Sequence, residues 1–307
     1  MKEFINIIMK HNKPDIKYYI KTAIYISVLL MYIAIITYHW DAISRSLFNH
    51  PVTILYALIL STIGIAIQAY NFTDLLGSKV KIQFLSTYRM WAMSNIINYI
   101  APFQPGLVAR GIYFKSHSIS YSKTLHTTLR QLLLSLWIGT GILALFLPYQ
   151  SMLTNYLKLS AAGVFLFFLF IIFYNNSELI KKYLPQRYLR NVQPLFTRPS
   201  MTQIIFIISQ YILIALCYFL VLSEFQLTVT IPSVFLLAVI IILSTIISIT
   251  PNNIGLQELI IGTAVYKMGA IDVYIISIPV IFRTAHILSC GIILLFTSII
   301  SLKKQAS

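Results

Sequence analysis

Four ionisable side chains stand where the sequence offers them least water. Arg110, Arg130, Arg283 and Glu258 all lie in long apolar runs. A charged side chain at the centre of a bilayer costs about 2.5–3.5 kcal/mol on insertion scales, so such residues are held by partners or by a ligand. Three guanidiniums against one carboxylate form a cation-rich set, suited to binding an anionic group. Side-chain amides accompany them at Asn98, Gln104, Asn252, Asn253 and Gln257, beside chain breaks at Pro102, Gly106, Pro251 and Gly255. The half-helices that begin near Gly106 and Ile254 should turn free N–H groups toward those breaks, and helix N-termini attract phosphate and carboxylate. The amides read equally well as groups that satisfy the broken backbone.

Arg130, Arg283 and Glu258 also have a plainer reading. Arg130 lies about two helical turns into its segment and could snorkel to an interface. Arg283 has a long apolar flank on each side, so its competing role is pairing with Glu258, the one acid in this deep apolar context. Such a pair must be hydrogen-bonded to offset its desolvation. His126 and His286 sit about one turn from Arg130 and Arg283 and read as satisfied histidines in a helix bundle. Cys217 and Cys290 read as small buried hydrophobes.

The elements that position these residues follow from composition. Of 307 residues, 58% are hydrophobic and only 10% charged, whereas a water-facing globular surface needs roughly a quarter charged. Mean hydropathy is +0.81. The fold class expected is an all-α polytopic membrane protein, one membrane domain over 1–307. Net charge is +15; in a soluble chain that would raise nucleic-acid binding, but here it reads as basic loops kept on the cytoplasmic side, with no nucleic-acid partner. The run 18–38 is too long for the apolar core of a signal peptide and lacks a small-residue cleavage site, so it reads as a retained span.

A crossing helix needs about 20 mostly apolar residues. The segments 18–38, 51–71, 123–147, 153–174, 201–222 and 273–302 meet this, while two others are broken in the middle. One runs over 82–114 with a break at Pro102-Phe103-Gln104-Pro105-Gly106; the other runs over 231–268 with a break at Pro251-Asn252-Asn253-Ile254-Gly255. The N-terminus, Lys79 with Lys81, the Lys115–Lys123 connection, the Lys181–Arg198 loop and Lys303-Lys304 are basic. The connections 39–50, 148–152, 223–230 and 269–272 are nearly free of positive charge. All basic loops fall on one side only if each broken segment enters and leaves on the same side. The expectation is six full spans plus two re-entrant helical hairpins, eight hydrophobic units in all, with both termini cytoplasmic in the inner membrane.

The halves, about 18–147 and 153–302, repeat in order and in opposite orientation. Pro102-x3-Gly106-Leu107 matches Pro251-x3-Gly255-Leu256, and a lone arginine follows in the next helix, Arg130 or Arg283. Inverted repeats with interrupted helices point to a transport site near the midplane. A P-loop, an Asp-x-Asp pair and Cys/His metal spacing are all missing, so no enzyme, no metal and no cofactor are expected.

These residues resemble a known family, the membrane region of the lysylphosphatidylglycerol synthases, flippase-like proteins that often occur without the synthase's catalytic domain. Asn98-x3-Pro102 followed by Gly106 and Arg110 resembles the family's first motif, an Asn and Pro leading to Gly-Glu-x-x-Arg. Pro251 through Gly255 to Glu258 resembles its second, Pro-x-x-x-Gly-x-x-Glu, and Arg130 and Arg283 match arginines in the helices that follow. Leu107 replaces the first motif's Glu; Gln104 and Gln257 stand where Arg is frequent. The aminoacyl-transfer domain would lie beyond these spans, so the resemblance implies lipid handling rather than synthesis.

The function expected is translocation or binding of an anionic phospholipid or lipid-linked intermediate between the hairpin tips. Arg110, Arg130 and Arg283 would hold the headgroup, with Glu258 paired to Arg283 or to a cationic headgroup part. Two alternatives are a secondary transporter of a small anion and an accessory subunit that presents a lipid to a partner transferase.

Overall fold

A computed structural model of the chain describes residues 36–77, 82–100, 104–147, 152–174, 199–245 and 251–306, with isolated positions between 27 and 34. Pro102, most of the expected span 18–38, Lys79, Lys81 and the segment 175–198 lie outside the described residues. All regular structure among the described residues is helical: α1 (Trp40–Asn49), α2 (Pro51–Leu76), α3 (Phe84–Ile100), α4 (Pro105–Ser116), α5 (Tyr121–Phe146), α6 (Met152–Tyr174), α7 (Met201–Glu224), α8 (Ile231–Ser244), a 3-10 turn (Pro251–Asn253), α9 (Leu256–Lys267) and α10 (Asp272–Ala306). Among the described residues, four stretches are long and apolar enough to cross a membrane: Pro51–Leu76, Tyr121–Phe146, Met201–Glu224 and Val273–Ser301. The chain is a multi-pass membrane protein.

One expectation is corrected at once. The stretch 39–50, read as a loop, carries α1, which packs against α10 and buries Ile43. Its apolar residues are spaced for one helical face, which yields no long hydrophobic run. Asp41 suits its first turn, and Pro51 starts the next helix, where a missing N–H is harmless. Local chemistry marks other starts too: Ser200 and Gln203 form a reciprocal capping box on α7, and the Ser120 hydroxyl accepts from the Lys123 N–H on α5.

The centre of the fold is the α2–α7 pair, which is antiparallel along its whole length. At one end the His50 and Phe225 rings lie 4.5 Å apart; toward the other, Tyr70 meets Phe206 at 4.7 Å and Gln203 Nε2 donates to Asp74 Oδ2 at 3.1 Å. Gly64, between them, faces Leu213. Two helical hairpins flank this pair. The open end of α3–α4 lies by the C-terminal end of α2, where Phe72 packs on Trp91 at 5.0 Å and on Phe114 at 5.2 Å. The open end of α8–α9 lies by the C-terminal end of α7, where Phe225 shares a cluster with Val234 and Val265. The hairpins thus approach from opposite ends and meet tip to tip, with Gln104 Nε2 donating to the Thr245 carbonyl at 2.9 Å. At 12, 14 and 12 residues, α4, α8 and α9 reach only about 18–21 Å at 1.5 Å per residue, short of a hydrocarbon core of about 30 Å.

Neighbour relations in the first half recur in the second. α2 packs on α3 as α7 packs on α8, and α4 lies on α5 as α9 lies on α10. Across the halves, α3 reaches α10 as α8 reaches α5.

The turn between α3 and α4 depends on a residue without a side chain. A Cβ at Gly106 would collide with the Ser94 carbonyl and the Asn98 amide, both in α3. Gly106→Ala is therefore expected to destabilise the protein by about 1–3 kcal/mol. Thermal unfolding in detergent checks this against Gly163→Ala, where a Cβ meets open space and helix propensity predicts no loss.

Candidate functional site

A cavity of about 320 Å³ lies where the hairpin tips meet the α2–α7 pair. On α2 its lining residues run from Leu60 to Gln68 and on α7 from Gln210 to Tyr218, so it sits near the middle of both helices. Among the predicted residues Arg110, Arg283, Glu258, Asn98, Gln104, Asn252, Asn253 and Gln257 line it. Arg130 does not.

Arg283 and Glu258 form an ion pair, Nε to Oε1 at 2.5 Å, with side chains 8% and 17% exposed. A second guanidinium nitrogen of Arg283 donates to the Asn252 carbonyl at 3.4 Å, and the group lies 5.4 Å from the Tyr99 ring. Oε2 of Glu258 accepts the Gly255 N–H at 2.7 Å. Both carboxylate oxygens are therefore committed, one to Arg283 and one to the backbone at the start of α9. Glu258 in the first turn also complements the positive end of the α9 dipole.

The broken backbone engages most of the predicted amides. Asn98 Oδ1 accepts the Gly106 N–H at 2.8 Å, and Leu107 N–H bonds the Gln104 carbonyl at 2.9 Å. Asn253 Nδ2 donates to the Ser244 carbonyl at the end of α8 at 2.8 Å. Gln104, Asn252 and Asn253 also carry left-handed φ values of 53°, 41° and 56°, a region in which asparagine is strongly enriched. Gly255, at φ 89°, completes the turn that Pro251 opens. Part of the N–H set expected to face the tips is used within the protein. The Gly106 and Gly255 N–H groups are capped by Asn98 and Glu258 within the protein.

Arg110 is different. It is 8% exposed, its guanidinium lies 4.2 Å from the centre of the Trp91 ring, and it has no ion pair or hydrogen bond among the described residues. Trp91 is itself oriented by its Nε1–H, which donates to Gln68 Oε1 at 2.7 Å. Among the described residues, formal charge in the cavity is thus a neutralised pair plus one cation.

The description Lysylphosphatidylglycerol synthase TM region fits the chain from residue 20 to 293. The chain belongs to this family. No curated protein and no solved structure matches it. Membership of the lysylphosphatidylglycerol synthase TM-region family associates the chain with membrane lipids.

In this family member Arg130 is held elsewhere. It donates to Gln203 Oε1 at 3.3 Å, and Gln203 bridges to Asp74, so the arginine belongs to a polar cluster near the ends of α2 and α7. Asp74 is a second acid beside an arginine, just past the expected span 51–71, which is why the sequence reading passed over it. His286 bonds Tyr99 at 2.9 Å, and His126 bonds Ser122 at 3.3 Å. Sequence reasoning missed Gln68, Asn95, Gln131 and Gln210, which line the cavity from inside apolar helices without a neighbouring break. An amide in the middle of an apolar run was the available signal. No group of three or more His, Cys, Asp or Glu comes together among the described residues.

The pair sets a stability test. Glu258→Gln should destabilise by about 3–5 kcal/mol, because Arg283 then stays buried without its countercharge. Glu258→Gln combined with Arg283→Met should recover much of that loss. Thermal unfolding of the two singles and the double closes the cycle; additive losses would show that the pair is not coupled. Arg283→Ala alone is for the same reason a poor probe of function.

Proposed function

We propose that this protein binds an anionic phospholipid or lipid-linked intermediate and moves its headgroup between leaflets through the cavity at the hairpin tips. The observation that carries this reading is Arg110, a buried cation on the cavity wall that pairs with no acid among the described residues. A guanidinium so placed is stabilised by a phosphate, which it can bind through two parallel hydrogen bonds. Glu258 and Arg283 then shape the site rather than hold the cargo.

The architecture supports a route across the membrane. Hairpins with short arms, entering from opposite ends, read as two re-entrant units among six full spans. The recurring neighbour relations read as an inverted repeat of 18–147 and 153–302, which permits rocking of one half against the other. The bias of basic loops supports both termini on the cytoplasmic side of the inner membrane. We read the chain as a transport module with no catalysis of its own.

Arg110→Gln tests the reading in a protein whose Arg283–Glu258 pair is intact. Translocation of a fluorescent anionic phospholipid in proteoliposomes should fall at least about tenfold, the scale of one lost charge-assisted hydrogen bond. The unfolding midpoint should hold or rise, since a buried unpaired charge is removed. An unchanged translocation rate would take Arg110 out of the mechanism.

A further inference from the structure

We propose that the cavity selects a headgroup with one phosphate and several hydroxyls and no amine. This rests on the reading above, in which Arg110 holds a lipid phosphate, and it narrows the cargo by what else the cavity offers.

The first argument is charge. In a site of low dielectric an ammonium needs a countercharge, which neutral amides do not supply. Glu258 is the acid in the cavity lining, and its two oxygens are bonded to Arg283 and to the Gly255 N–H. Once the lipid phosphate has neutralised Arg110, the cation of a lysyl or ethanolamine headgroup would be left in the cavity without a countercharge. A charge left unpaired excludes a ligand as effectively as good contacts admit one.

The second argument is the spare hydrogen-bonding capacity. Gln131 on α5, Gln210 on α7 and Gln257 on α9 line the cavity and make no side-chain hydrogen bond among the described residues. Gln131 is only 9% exposed. Each amide offers donors and an acceptor at once, and three different helices bring them to one space. The buried Oδ1 of Asn253 adds an acceptor without a partner. Its identity as oxygen follows from Nδ2, which must be the atom donating to the Ser244 carbonyl. A phosphate diester accepts but does not donate, so it can serve only the donor half of these amides. Hydroxyls do both, which makes a glycerol, inositol or sugar headgroup the complementary chemistry. A cavity of about 320 Å³ is at the small end of ligand sites and suits a phosphate with a single polyol or ring.

The test is native mass spectrometry of the full chain in phosphatidylcholine nanodiscs, titrated with phosphatidylglycerol, phosphatidylinositol, phosphatidic acid and lysyl-phosphatidylglycerol. Phosphatidylglycerol and phosphatidylinositol should be retained at least about tenfold better than phosphatidic acid, the worth of one or two added hydrogen bonds. Lysyl-phosphatidylglycerol should not be retained above phosphatidylcholine. Replacing Gln131 and Gln257 together by Met should bring phosphatidylglycerol down to the level of phosphatidic acid while phosphatidic acid itself is unchanged, which also reports that the variant is folded. Phosphatidic acid equal to phosphatidylglycerol in the wild type, or retention of the lysylated lipid, would overturn the selectivity and leave the anionic-lipid reading standing. Retention of none of the four would overturn that reading as well. Displacement of every lipid by soluble glycerol 3-phosphate would keep the phosphate-and-hydroxyl chemistry but move its source from lipid to water, against the lipid route.

Discussion

The carboxylate of Glu258 carries two obligations, and the geometry around the cavity depends on both. One oxygen closes the backbone at Gly255, where the chain leaves a left-handed turn and begins α9; the other neutralises Arg283 on α10. Backbone groups broken open inside a membrane protein have no water to fall back on and must be satisfied by protein. Glu258 does this while tying the second hairpin to the helix that follows it. Pro279, one turn before Arg283, removes a further hydrogen bond from α10 in the same region.

The same constraint explains why the hairpin tips are polar at all. Asn98 closes the start of α4, Asn253 the end of α8, and Gln104 reaches across from one tip to the other. These amides are consumed by the architecture. The polar groups left over are therefore the informative ones: Arg110 on the Trp91 face, and the glutamines of α5, α7 and α9. Groups that repair the backbone and groups with unused hydrogen-bonding capacity stand side by side in this cavity, and only bonding geometry separates them.

The fate of the arginines shows what tertiary packing adds. Arg130 and Arg283 each lie in the helix that follows a Pro-x3-Gly break, yet one faces Gln203 and Asp74 near the ends of α2 and α7 and the other faces Glu258 beside the cavity. Their separation comes from which helix packs opposite each, a relation between residues far apart in the chain. The antiparallel α2–α7 pair brings the two tips to a common level, and the apposed tips enclose the cavity.

Much of the fold was legible in the residues alone. Hydropathy is a local property, so the segments 51–71, 123–147, 153–174, 201–222 and 273–302 could be read directly, and the two breaks announced themselves through proline and glycine. Helix α1 escaped because its apolar face is defined only by burial on α10. Within the site, the residues beside breaks were legible because a break in an apolar run is itself unusual; Gln68, Gln131 and Gln210 were not, since an amide in an intact helix looks the same whether it faces lipid, a neighbour or a cavity. By itself the sequence determined the class, the breaks and the stock of polar groups, because each is written in neighbouring residues. Which of those groups are spent on backbone and ion pairs, and which keep unused bonding capacity among the described residues, was decided by the tertiary structure, because hydrogen bonds and countercharges are made across helices.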